Sequence, residues 1–245
     1  MLDGKAYQGV GHGAVPGLDR SLLSNIDLFQ GLRPDQLNVI ENACRYRRFA
    51  AQELIVDKDS PSNDVFFVVR GCVRIINYSV AGREVAFDDL REGCYFGELS
   101  AIDNQPRSAS VLALTDTLIV ALPGRAFLEL LVLHPTVTMQ VMQRLARIIR
   151  VGNERIMDLS TLAAYSRVQA EVLRQACAHK VGANTAVIDP IPIHSDIASR
   201  ASTTRETVAR VLNDLSRKGV VRRTREGLVI SDLRLLREMV DEVRG

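Results

Sequence analysis

Phe96-Gly97-Glu98-Leu99-Ser100-Ala101, followed by Pro106-Arg107-Ser108-Ala109-Ser110, is the stretch that decides how this chain is read. It places a glutamate, an arginine and a serine around a loop of small residues. Gly97 has no Cβ, so a ligand can approach the backbone closely. The amides of Leu99 to Ile102, at the start of a short helix, point toward an anion. Arg107 offers a planar donor fork to two phosphate oxygens, and Ser108 adds a hydroxyl. Ionised Glu98 only accepts hydrogen bonds, so it repels a phosphate but suits a sugar hydroxyl. A ribose carrying a single phosphodiester charge matches this set.

Around that stretch, residues 53–122 hold short β-branched runs separated by Gly, Asp, Asn and Pro, as at 73–76, 84–87, 110–112 and 118–122. Short strands at such intervals predict a β-roll or barrel. Upstream, the spacing of Leu22, Ile26, Phe29, Leu37, Ile40 and Ala43 predicts short helices, broken near Gly31 and Pro34. Residues 1–20 are rich in Gly and read as a mobile tail.

Downstream the period changes. Met142, Leu145, Ile149, Gly152, Ile156, Leu159 and Ala163 recur at intervals of three and four, with Arg144, Arg147, Arg150, Glu154 and Arg155 between them. This heptad seam predicts a long helix paired in parallel with a second copy of itself. A mid-helix Gly costs about 1 kcal/mol against Ala. Close helix approach and a ligand edge are both open as reasons for Gly152.

Residues 166–178 read as another amphipathic helix, followed by a polar loop over 179–184 and by Ala186-Val187-Ile188. Two short helices follow, near 195–200 and 204–217, joined by the small-residue turn Ala201-Ser202-Thr203. Residues 220–223 and 228–230 flank Arg225-Glu226-Gly227 as a hairpin. A helix–turn–helix followed by a hairpin is a winged DNA-binding module. Arg205, Glu206 and Arg210 share an exposed face, while Val208, Val211, Leu212 and Leu215 point inward. Arginine reads guanine bidentately and glutamate accepts from cytosine. Thr203-x-x-Glu206 fits a capping box equally well, which leaves two readings of Glu206 open. Arg217, Lys218, Arg222, Arg223 and Arg225 concentrate positive charge at the hairpin.

Composition sets the outer limits. With 245 residues, 47% of them hydrophobic, the chain has room for two domains, and its net charge of +2 says little about partners. It has no apolar run long enough to span a membrane and no secretion signal. Cys44, Cys72, Cys94 and Cys177 are scattered, with Cys72 and Cys94 in strand-like segments. The four histidines are equally dispersed and suggest no metal site. A reduced, cytoplasmic protein is expected. His194-Ser195-Asp196 cannot converge on one substrate atom, so no catalytic triad is read and no enzyme is expected.

From about residue 21 to 230 the chain resembles the Crp/Fnr family of bacterial transcription regulators, in its cyclic-nucleotide-responsive branch. The likeness is carried by the opening stretch, by Val65-Phe66-Phe67-Val68-Val69-Arg70-Gly71, by Ala81-Gly82-Arg83 and Leu90-Arg91-Glu92-Gly93, and by the helix from Thr203 to Arg210. It implies an α+β chain with a tail over 1–20 and a cyclic-nucleotide-binding β-roll over 21–135. A dimerisation helix and hinge over 136–165 and a winged helix-turn-helix over 166–245 would follow.

The resemblance also implies residue roles. Glu98 would hold the ribose 2′-hydroxyl, and Arg107 and Ser108 the cyclic phosphate, with Gly97 and Leu99 beside them. Ile75 and Phe87 would form an apolar wall for the base. Arg205, Glu206 and Arg210 would read bases, Ser202 and Thr207 would touch phosphates, and Arg223 and its neighbours would hold the DNA backbone. Gly152-Asn153 stands where that branch carries a Thr–Ser pair that contacts adenine. Because an Asn amide can donate or accept, cyclic AMP (cAMP) and cyclic GMP (cGMP) are both expected to bind. The implied partners are a near-palindromic double-stranded DNA operator with TGTGA-like half-sites, a second copy of the chain, and RNA polymerase, with the 179–184 loop a candidate contact. No membrane and no metal are implied. The alternatives are a haem or iron–sulfur sensor of the same family, and a regulatory module of an enzyme or channel. The scattered cysteines count against a cluster, the intact Glu98–Arg107–Ser108 set against haem, and the lack of a catalytic or membrane segment against the module.

Overall fold

A computed structural model of the protein describes residues 22–80, 82, 84–225 and 227–244. The expected tail over 1–20 lies outside the described residues, as do Ala81, Arg83 and Glu226. The fold is the α+β arrangement expected: a β-roll, then helices, then a winged helix-turn-helix.

Two 3-10 turns, Leu22–Asn25 and Asp27–Phe29, precede helix α1 (Pro34–Ala43). The strands β1 (Arg45–Phe49), β2 (Leu54–Val56), β3 (Val65–Arg70), β4 (Cys72–Tyr78), β5 (Glu84–Arg91) and β6 (Tyr95–Phe96) follow. After α2 (Glu98–Asp103) come β7 (Ser110–Ala113), β8 (Thr117–Leu122) and α3 (Gly124–Leu133). They make two four-stranded sheets, ordered β1-β8-β3-β6 and β2-β7-β4-β5. β1 was not foreseen: three exposed arginines in Arg45–Phe49 hide the strand, which is legible only as an edge partner of β8.

The long helix α4 (Pro135–Thr161) leads to α5 (Ala164–Ala178), β9 (Ala186–Ile188), α6 (His194–Arg200) and α7 (Arg205–Arg217). The chain closes with β10 (Val221–Arg223), β11 (Leu228–Ile230) and α8 (Leu233–Arg244). The expected hairpin forms, with Arg222 opposite Val229, and β9 adds a third strand through Val187 opposite Val229. The heptad seam stops at Leu159; Ala163 lies past the end of α4 and caps α5. Cys94 lies just before β6 rather than within a strand.

The described residues divide into two units. One holds the chain up to Arg74 with Asp89–Gln140; the other holds Ile75–Asp88 and the chain from Val141 onward. In the first, alternation along β3 decides what faces what. Phe67 points into the core, with its ring 4.7 Å from that of Phe29 and 6.1 Å from that of Tyr95. Phe66 points the other way and stacks on Phe96 at 5.1 Å. In the second unit, Val168, Ile197, Val208, Val211, Leu215, Ile230 and Leu236 form the buried core, which holds α7 in place from below.

Candidate functional site

The stretch from Phe96 to Ser110 folds as the end of β6, a turn at Gly97, the short helix α2, a loop carrying Arg107, and the start of β7. Arg107 is buried, with 3% of its surface exposed. Its Nε donates to Ser62 Oγ (3.0 Å), Nη1 to the Gly97 carbonyl (2.9 Å) and Nη2 to the Asp64 carbonyl (2.6 Å). The guanidinium carbon lies 5.4 Å from the centre of the Phe66 ring. Every acceptor is neutral, and no carboxylate of a described residue lies within ion-pair distance. Burial lowers the guanidinium pKa, opposed by the charges of Asp64 and then Glu98.

Arg74, the other buried arginine among the described residues of this unit, is held differently. Its Nε and Nη2 meet Asp89 Oδ1 and Oδ2 at 2.7 and 2.8 Å, so its charge is matched bidentately. Removing a cation from water costs several kcal/mol when no counter-charge follows it. Arg107 therefore has its orientation fixed but no carboxylate of a described residue in direct ion-pair contact, the Asp64 and Glu98 charges acting on it only from farther away.

Gly97 has a more particular role than an open approach. It sits at φ +87°, and a Cβ there would lie 2.6 Å from Arg107 Nη1 and 2.8 Å from the Asp64 carbonyl oxygen. The absent side chain makes room for the arginine. Gly97→Ala should therefore displace Arg107, lowering the affinity for any anionic ligand that this arginine holds at least tenfold and stability by about 1–2 kcal/mol for the left-handed backbone alone. Calorimetry and a thermal melt check the two effects.

Glu98 opens α2 and is 5% exposed. Its carboxylate accepts no hydrogen bond from a described residue. The amides left without a helical acceptor belong to this first turn, not to the run as far as Ile102. Leu99 and Ser108 are exposed beside it. Ile75 (half-buried), Phe87, Gly152 and Asn153 belong to the second unit. Sequence reading missed Ser62, Asp64 and Phe66. Of these only Phe66 left a signal, through the alternation of β3.

In the second unit α6 and α7 form the expected pair. Arg205, Glu206 and Arg210 are exposed on α7, and Arg222, Arg223 and Arg225 are exposed on and beside β10. The capping-box expectation is corrected. Thr204, not Thr203, caps α7, its Oγ1 accepting from the Thr207 amide at 3.3 Å. Glu206 is then the second helical residue. Its own amide, and after that the Thr204 hydroxyl, hold its carboxyl below the usual range. The Thr207 hydroxyl lies 3.3 Å from Thr204 Oγ1, so the residue expected at a phosphate also belongs to the cap. Ser202 is half-buried in the turn at φ +48°.

The seam on α4 leaves Met142, Ile149, Ile156 and Leu159 exposed, Ile149 at 62% and Ile156 at 63%. Nothing lies within 4 Å of a Cβ placed at Gly152. Burial pushes the Cys44 thiol up to about 12, and Cys72 is raised chiefly by the same cause. Such thiols stay protonated and are poor ligands or redox centres near neutral pH. Among the described residues, no group of three or more His, Cys, Asp or Glu side chains could hold a metal ion, and no helix is long and apolar enough to cross a membrane.

Residues 46–134 match the cyclic nucleotide-binding domain family, and residues 166–239 the Crp-like helix-turn-helix domain family. The chain is 30% identical over 212 residues to the cyclic AMP receptor protein of Thermus thermophilus, covering 86% of this chain and 95% of that one. It is 25% identical over 213 residues to a CRP-like cAMP-activated global transcriptional regulator of Mycobacterium tuberculosis, again covering 86% and 95%. Among solved structures, a CooA mutant from Carboxydothermus hydrogenoformans superposes with a TM-score of 0.70 at 22% identity, covering 83% of this chain and 90% of that one.

Proposed function

This chain belongs to the Crp/Fnr family of DNA-binding transcription regulators, and we propose that its effector is a cyclic nucleotide held by Arg107 and Glu98. The observation that carries the reading is the Arg107 guanidinium, buried and oriented by Ser62, Gly97 and Asp64 with no carboxylate of a described residue in ion-pair contact. A phosphodiester anion supplies that contact. Glu98 repels further negative charge and selects a sugar hydroxyl, which together describe a ribose with one cyclic phosphate. The relative from Thermus thermophilus, named for cyclic AMP, supports the same ligand. Calorimetric titration with cyclic AMP and cyclic GMP tests the reading. A Soret band or broad visible absorption without nucleotide binding would replace it with a haem or cluster sensor.

The protein would act as a cytoplasmic homodimer without catalytic activity, joined along the exposed seam of α4. The β-roll is its ligand domain and the part from α5 onward its DNA-binding domain. Two α7 helices would enter successive major grooves about 34 Å apart on a TGTGA-like palindrome. Ligand binding favours one orientation of the DNA-binding pair, a population shift set by its differential affinity for two states. Arg205, Glu206 and Arg210 would read bases, Ser202 would touch a phosphate, and Arg223 would hold the backbone. RNA polymerase would be met by an exposed loop such as residues 179–184.

Two expected results follow from these roles. Arg210→Ala should cost about 1–3 kcal/mol and relax preference at one base pair, whereas Arg223→Ala should weaken all sequences alike and flatten the salt slope. Gel-shift titrations on matched and substituted operators separate them; equal losses everywhere would reduce Arg210 to a phosphate contact. Asn153, in place of the Ser that contacts adenine in the family's cyclic-AMP branch, should bring the affinities for cyclic AMP and cyclic GMP closer together. Calorimetry on wild type and Asn153→Ala checks this: undetectable cyclic GMP binding, or no change in either affinity, would remove Asn153 from the site.

A further inference from the structure

The C-terminal end of α6 is held from two directions within the second unit, by the side chains of Ser199 and Arg167. On one side, Ser199 Oγ accepts from the Ala86 amide at 2.9 Å and donates to the Glu84 carbonyl at 2.8 Å. β5, which carries both, is the edge strand of its sheet. An edge strand presents amides and carbonyls that lack a neighbouring strand. A single hydroxyl, donor and acceptor at once, here supplies what such a strand would supply.

On the other side stands Arg167. Its Nε donates to the Ala201 carbonyl, Nη2 to the Ser202 carbonyl and Nη1 to the Leu162 carbonyl, each at 2.9 Å. Ala201 caps α6, Ser202 is the strained residue of the turn, and Leu162 connects α4 to α5. Carbonyls at helix ends lack intrahelical donors and favour a cation. The rigid five-donor fork of arginine serves three separate carbonyls at once in a fixed plane, whereas the three donors of a lysine ammonium radiate from a single atom and lack that geometry. The same β5 strand is tied to α4 as well, since Arg155 Nη1 donates to the Phe87 carbonyl at 2.7 Å.

We propose that Ser199 and Arg167 are the positioning residues of the allosteric response. They fasten the turn of the DNA-binding pair to the strand bearing Phe87 on one side and to the α4–α5 connection on the other. A shift of either is thereby transmitted to α7. The proposal rests on the reading of the chain as a cyclic-nucleotide-responsive DNA-binding protein. It concerns the coupling between two binding events, a quantity separate from either affinity alone.

The test uses the full chain. Operator affinity is measured with saturating cyclic AMP and without it, and the ratio is compared among wild type, Ser199→Ala, Ser199→Thr and Arg167→Lys. Ser199→Ala and Arg167→Lys should each bring the ratio at least about fivefold closer to one, the worth of one or two lost hydrogen bonds. Ser199→Thr, which keeps the hydroxyl, should retain the wild-type ratio. A contact serving stability alone would lower the melting temperature and leave the ratio unchanged in both variants, and that result overturns the proposal. A wild type that binds no cyclic AMP in calorimetry, or whose ratio is already one, overturns the functional reading beneath it and is seen before any variant is compared.

Discussion

Arg107→Leu should abolish cyclic-nucleotide binding while leaving a folded protein. Leucine removes the two parallel donors that a phosphodiester would engage. At about 1.5–3 kcal/mol for each hydrogen bond to a charged group, their loss costs about 3–6 kcal/mol, a factor of at least a hundred in affinity. Stability moves less, because opposing terms meet at this site. The Gly97 and Asp64 carbonyls lose their donor, but a buried charge with no counter-ion is relieved as well. Arg107→Lys separates charge from geometry. It keeps the cation but not the fork, and its affinity should fall between the two. Calorimetry with cyclic AMP reads both variants, and a melt confirms folding. Unchanged affinity in Arg107→Leu would mean that the buried guanidinium serves the β-roll alone, and the pocket assignment would be withdrawn.

The same residue shows what could be read in advance and what could not. Arg107, Glu98 and Gly97 stand out in the sequence because the proposed cyclic phosphate would need their residue types close together in the chain. The groups that orient Arg107 do not. Ser62 and Asp64 act from a loop far away in sequence, Asp64 through its backbone carbonyl, and a carbonyl has no sequence signature. The neighbour that requires a glycine at position 97 is equally hidden, since only the folded chain brings Arg107 Nη1 against it. Strand β1 failed for a related reason. An edge strand needs no alternating apolar face, so Arg45, Arg47 and Arg48 conceal it. Around α7 the period of Val208, Val211 and Leu215 fixed the buried face, while the cap moved by one residue. Two adjacent threonines compete for that position on equal chemical terms.

Charging the α4 seam should dismantle the regulator more completely than any single DNA contact. Ile149 and Ile156 stand one heptad apart on the same stripe and expose more than half their surface in the single chain. Fully burying each such side chain against a partner is worth about 1.5–3 kcal/mol. A dimer buries four of them, and a lysine in their place must either stay in water or carry an unpaired charge into the seam. The double variant Ile149→Lys/Ile156→Lys should therefore sediment as a monomer at concentrations where wild type is a dimer. Operator binding then loses its second attachment. Linked binding of two modules exceeds either alone by about 10²–10⁴, so affinity for the full palindrome should fall by at least a hundredfold while affinity for an isolated half-site stays unchanged. The contrast between full site and half-site separates loss of dimerisation from damage to the DNA-binding pair. Damage to that pair would lower both affinities. A double variant that remained dimeric, with full-site affinity intact, would show that the exposed stripe of α4 is not where two copies meet.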